Sequence, residues 1–129
     1  MPRPSGTLTP PQLEILEAVW AHGPAGATIA ELVATLSRRR EVARTTVLTL
    51  VQRLERRGWL SADKTDRAHR YRATRSRAES AGRLGAEFVD SFFGGSASSL
   101  VASLLGSKKI RHGELARLRE LLANRNPGT

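Results

Sequence analysis

Thr45, Thr46, Thr49, Gln52 and Arg53 are spaced so that they lie on the outside of one helix or at its start. Their side chains suit the edges of DNA bases. Short hydroxyls let a helix approach closely, threonine methyls can meet thymine methyls, and Gln or Arg can bond a base edge with two hydrogen bonds. Leu48 lies among them. Thr45 serves equally well as a helix-start residue that merely caps. Arg44, Arg56 and Arg57 sit where a helix would meet phosphates, and Arg67, Arg70 and Arg72 lie on a hairpin that would touch phosphates or a minor groove. Catalytic chemistry is not indicated. No nucleophile–His–acid set, phosphate loop or metal-ligand cluster occurs, so neither an enzyme nor a cofactor is expected. His22, His69 and His112 are scattered without zinc spacing, so no metal is expected. The absence of cysteine excludes disulfides and thiolate sites.

The charge is concentrated in the same stretch. Residues 38–75 hold 12 Lys/Arg against 4 Asp/Glu, a net of +8 in a chain of +9, which leaves the rest close to neutral. A basic block laid over a helix-plus-hairpin pattern is the footprint of a nucleic-acid-binding module. The competing reading is a solvated charged face without a partner.

The elements that must position these residues are legible in the pattern. Thr9-Pro10-Pro11-Gln12 is a helix start with a capping box, followed by one apolar face at Leu13, Ile15, Leu16, Val19 and Trp20. Thr28 with Glu31 opens a second helix through Ile29, Leu32, Val33 and Leu36. A third runs from about Ala43 to Arg57, with Val47, Leu50, Val51 and Leu54 inward and Gly58 as its cap. Trp59–Lys64 and His69–Thr74 read as two strands around a Thr65–Ala68 turn. Residues 7–75 thus have the order of a winged helix-turn-helix: three helices plus a β-hairpin wing, with the third helix placed for the major groove.

Residues 76–124 carry three further amphipathic helices. Ser76 caps the first, through Phe93; Gly94-Gly95 breaks it; Ser96 starts the second, which Gly106 stops; the last spans about Arg111 to Asn124. The tail from Arg125 to Thr129 is expected to fray. Short helices are marginal alone, so the stripe of Leu84, Phe88, Phe92, Leu100, Val101, Leu104, Leu105, Leu118 and Leu122 is expected to meet a second copy. The competing reading packs it on the winged domain. The expected class is therefore mostly α, a winged helix followed by a helical dimerisation region. The first residues lack the apolar core of a signal peptide, and no apolar run approaches membrane-span length. A cytoplasmic protein without membrane insertion is expected.

The stretches LTPPQLEILEAVW, TTVLTLVQRLERRGWL, RAHRYRAT, FFGGSASSLVASLL and GELARLRELL resemble the BlaI/MecI/CopY family of penicillinase-repressor-like regulators. The resemblance covers roughly Leu8 to Leu122, and the FFGGSASSLV junction is its most specific part. It implies a homodimeric repressor on double-stranded, dyad-symmetric operator DNA, with C-terminal helices exchanging contacts between subunits. In the beta-lactam branch it further implies a membrane sensor protease system that triggers cleavage within the dimerisation helices. The family's scissile Asn-Phe bond aligns here with Ser103-Leu104. The best-known members carry lysine and arginine at the positions of Thr45 and Leu48, which implies a different operator. The copper branch's cysteine cluster is missing. The alternative is a winged-helix module whose basic face docks an acidic protein.

Overall fold

The computed structural model describes residues 4–125. In chain order the elements are α1 (Pro10–Ala21), α2 (Ile29–Leu36), α3 (Arg44–Arg56), β1 (Leu60–Asp63), β2 (Arg70–Ala73), α4 (Arg77–Phe92), α5 (Ala97–Gly106) and α6 (His112–Ala123). They fall into two compact units, one ending at Leu84 and the other beginning at Gly85. This is the three-helix-plus-hairpin order of a winged helix, with helices following it.

Local chemistry sets the ends of the first two helices. Thr9 Oγ1 accepts the Gln12 amide at 3.3 Å while Gln12 Oε1 accepts the Thr9 amide at 3.0 Å, so two orphan donors are satisfied reciprocally. Thr28 and Glu31 repeat the arrangement at 3.2 and 2.9 Å. The first unit closes over Ile15, Leu16, Val19, Leu32, Val47, Val51, Leu54, Trp59, Leu60 and Tyr71, all buried, with Val33 and Leu50 packed at its edge. Leu13 departs from expectation: it is 40% exposed. The buried row of α1 runs through Gln12, Ile15, Leu16 and Val19. Leu13 instead shares its side of the helix with Glu17, one turn on, and that row faces outward.

The hairpin pairs antiparallel, Leu60 with Ala73 and Asp63 with Arg70. Its strands are shorter than the expected Trp59–Lys64 and His69–Thr74. Asp63 Oδ1 accepts both the amide (3.0 Å) and the hydroxyl (2.5 Å) of Thr65, an Asx turn that bends the chain away from the ladder. At the other end the Trp59 amide bonds to Leu54 O at 2.9 Å and closes α3. Ala27, ahead of α2, forms a bridge with Tyr71, which gives the wing a third main-chain partner.

The first unit extends past the expected boundary at residue 75. Trp20 Nε1 donates to Arg75 O at 3.0 Å, Arg77 pairs with Glu17 at 3.0 Å, Ser80 is buried, and the Arg83 guanidinium lies 5.8 Å from the Trp59 ring centre. Leu84, read as part of the stripe expected to meet a second copy, is half-buried in the single chain and packs against this same core.

In the second unit, Ser96 caps α5 by accepting the Ser99 amide at 3.1 Å. Phe88 and Phe92 stack at 5.6 Å between centroids, and Phe93 meets both rings. Neither α5 nor α6 has a buried residue. Arg125 follows the Asn124 cap of α6, and the remainder of the tail, 126–129, lies outside the described residues. Among the described residues no single helix is long and apolar enough to cross a membrane.

Candidate nucleic-acid interface

The site is built on α3. Burial of Val47, Val51 and Leu54 orients this helix against α1 and α2. Its remaining surface then follows from the 3.6-residue period. Arg44, Thr45, Thr46, Thr49, Gln52, Arg53 and Arg56 are exposed together. Leu48 is half-buried and packs at the edge of the core, so less of it is free than the sequence suggested.

The N-cap of α3 is Ala43, which supplies no side-chain hydrogen bond. Thr45 is therefore one residue inside the helix, and the reading of Thr45 as a cap is set aside. Thr49 Oγ1 donates to Thr45 O at 2.9 Å, which leaves the oxygen lone pairs and the methyl group of Thr49 outward. An uncapped helix start with an arginine at its first position presents unpaired amides and a positive dipole end, the chemistry that suits a phosphate.

The wing arginines differ among themselves. Arg67 sits exposed in the turn. Arg70 Nη1 donates to Glu31 Oε1 at 3.2 Å and to Gly26 O at 3.4 Å, tying the wing to the start of α2. Arg72 lies 3.9 Å from Asp63 and donates to Ala25 O at 3.4 Å. Both side chains remain about half exposed, 41% and 50%, so each braces the wing and still offers charge. The Thr28 amide bonded to Glu31, helped by its hydroxyl and by Arg70, holds the Glu31 carboxyl below the ordinary carboxylate range. The Thr65 hydroxyl and amide, followed by Arg72 and Arg70, do the same for Asp63.

Arg57 does not face outward as expected. It turns back onto the chain's N-terminal segment and onto Gln12. Arg40, within the basic stretch between α2 and α3, grips Glu14 with two bonds of 2.9 Å. Sequence spacing gave no signal for either, because both partners come from distant segments.

The stripe expected to meet a second copy is open in the single chain. Phe88, Phe92, Val101 and Leu105 are exposed, Phe92 and Leu122 by 74% and 70%, while Leu100, Leu104 and Leu118 are half-buried. The Ser103–Leu104 bond lies within α5.

The sequence profile of the family described as penicillinase repressor matches residues 8–124. The chain belongs to the penicillinase repressor family. Its class is that of a DNA-binding transcriptional repressor and not of an enzyme. No curated protein matches it closely enough to serve as a relative. Among solved structures, the monomeric form of Bacillus licheniformis BlaI in complex with the blaP half-operator is similar over 61% of this chain and 93% of its own, with 22% identity and a TM-score of 0.50. A MarR family protein from Bacillus stearothermophilus matches 84% of this chain and 76% of its own, with 25% identity and a TM-score of 0.46. A transcriptional regulator from Thermotoga maritima matches 89% and 74%, with 32% identity and a TM-score of 0.47.

Proposed function

We propose that this penicillinase-repressor family member works as a homodimer on a dyad-symmetric operator, one α3 entering the major groove of each half-site. The observation that carries the reading is the face of α3. Hydroxyl, amide and guanidinium groups of Thr45, Thr46, Thr49, Gln52 and Arg53 stand exposed together on a helix whose other side is wholly apolar. Such a face combines groups that bond base edges with charges that hold the backbone. Arg44, Arg56 and Arg67 are exposed around it and supply sequence-independent attraction.

The dimer half of the proposal rests on the second unit. An α5–α6 segment with exposed leucines and no buried residue has apolar surface to cover, and a second copy covers it symmetrically. Two linked heads then gain about 10²–10⁴ in affinity over one head without any new contact. If a sensor-linked protease relieves repression at Ser103–Leu104, α5 must first open, because that bond is inside a hydrogen-bonded helix.

Selection from a random duplex pool, followed by sedimentation of the complex, tests this reading. A palindromic consensus bound by two protomers is the expected result. Affinity should fall by roughly 10³–10⁵ between about 50 and 200 mM salt if six to ten phosphates are neutralised. A pool that returns no consensus, or a single head on an asymmetric site, rejects it.

A further inference from the structure

One arginine of the basic block, at the C-terminal end of α3, turns back onto the N-terminal segment. Arg57 is the C-cap residue of that helix. Its Nε and Nη2 donate to Ser5 O at 3.1 and 2.7 Å, Nη2 also donates to Thr7 O, and Nη1 donates to Gln12 Oε1 at 3.1 Å. The same Gln12 oxygen accepts the Thr9 amide of the α1 capping box. In return the Ser5 amide donates to Arg57 O at 3.1 Å, satisfying a carbonyl that a helix end leaves orphaned. Trp59 Nε1 adds a bond to Ser5 O at 3.0 Å, and Pro4 is fully buried. Gly6 completes the fit: its φ is +75°, and a Cβ there would come within 2.7 Å of Arg57 Nη2.

We propose that Arg57 is a positioning residue for base readout, and that residues 4–8 form a strap through which it locks the C-terminal end of α3 to the N-terminal end of α1. The proposal deepens the operator reading above and rests on it. The physical reason is leverage. The opposite end of α3 has Ala43 as its N-cap, without a side-chain hydrogen bond, so the end that reads bases is the less anchored one. A 13-residue helix is about 18 Å long from first to last Cα, and a tilt of about 5° at the anchored end moves the other by about 1.6 Å. Hydrogen bonds to base edges do not survive such a shift, whereas attraction to phosphates does.

Arginine is needed for its shape as well as its charge. The guanidinium fork reaches three acceptors from three different residues at once, which a lysine ammonium on a flexible stem cannot copy. The test therefore compares Arg57→Ala and Arg57→Lys with Arg56→Ala, an exposed neighbour on the same helix, in the full chain. Affinity for the selected operator and for a scrambled duplex of equal length is measured for each. Both Arg57 variants are expected to lose about tenfold in preference for operator over scrambled DNA, the loss of one base-edge contact, with Arg57→Lys binding scrambled DNA as the parent does. Arg56→Ala should weaken both duplexes together. Trp59→Phe, which deletes one strap donor and keeps a smaller aromatic ring in the core, guards against an Arg57 variant that fails to fold, and should lose preference in the same direction. Amide exchange at Ser5 supplies a readout without DNA: its protection should fall in the Arg57 variants. Full rescue by lysine would make Arg57 a phosphate contact and overturn the proposal. A parent that discriminates and Arg57 and Trp59 variants that discriminate equally well would overturn the positioning role alone. A parent unable to tell operator from scrambled DNA would overturn the operator reading and the strap's role together.

Discussion

Ala27 and Tyr71 exchange both of their main-chain hydrogen bonds, Ala27 N to Tyr71 O at 2.9 Å and Tyr71 N to Ala27 O at 2.8 Å. This pair fastens the middle of the wing to the loop that precedes α2. Wing and helix-turn-helix are thereby parts of one rigid head, with the buried Tyr71 side chain adding to the core beneath them.

Gly26 should be intolerant of substitution. Its φ is +78°, and a Cβ would meet the Tyr71 carbonyl oxygen and, at 3.0 Å, its carbon. Gly26→Ala is expected to cost about 1–3 kcal/mol through strain and to loosen the bridge. Urea unfolding together with amide exchange at Tyr71 checks this, and an unchanged exchange rate would mean that the loop shifts freely.

Helix and wing should contribute differently to DNA binding. Thr49→Ala or Gln52→Ala is expected to alter base preference at single positions, about 1–3 kcal/mol each. Arg67→Ala should weaken operator and scrambled duplex alike and reduce the salt slope by about one. If selections return one unchanged motif for every α3 variant, the reading face lies elsewhere.

Leu104→Asp with Leu118→Asp should abolish the dimer. Each buried leucine contributes about 1.5–3 kcal/mol, and a buried unpaired carboxylate costs more than is lost by simple truncation. Every fully buried hydrophobic residue among those described lies at or before Tyr71, so the head should keep its thermal transition. Sedimentation and operator titration decide: a double variant that stays dimeric and binds undiminished places the interface in the first unit.

Acid should release the wing's electrostatic ties before the core unfolds. Glu31 and Asp63 are held below their ordinary values of 4.5 and 3.8. For a depressed carboxyl the stabilisation is fully present above the unfolded value and disappears as pH falls through the lower folded value. Wing stability should thus be flat from neutrality down to about pH 5 and decline below it. Glu31→Gln should remove part of that decline, and NMR titration of the two carboxyls measures the midpoints directly.

What could be read from the sequence was what is local. Thr9 with Gln12, Thr28 with Glu31, Ser76 and Ser96 each declare a helix start within four residues, and the inner face of α3 follows from spacing alone. Partners distant in sequence stayed hidden. Arg56 and Arg57 are adjacent and identical in type, yet one is exposed and the other is claimed by Ser5, Thr7 and Gln12. Leu84 shares its period with Phe88, and the ties of Arg77 and Ser80 hold that part of α4 to the head. The Ala27–Tyr71 bridge has no sequence signature, since Tyr71 reads as a hairpin strand residue but Ala27 lies in a loop without any strand pattern.

The absence of any buried residue in α5 and α6 of a single chain has a consequence for dose. If two copies must associate before the operator is held firmly, occupancy at low abundance rises with the square of protein concentration. Halving synthesis would then cut repression about fourfold, and growth dilution alone could switch the target on. Unpaired chains, with leucines open to solvent, would also be the first substrates for housekeeping proteases, which steepens that threshold further.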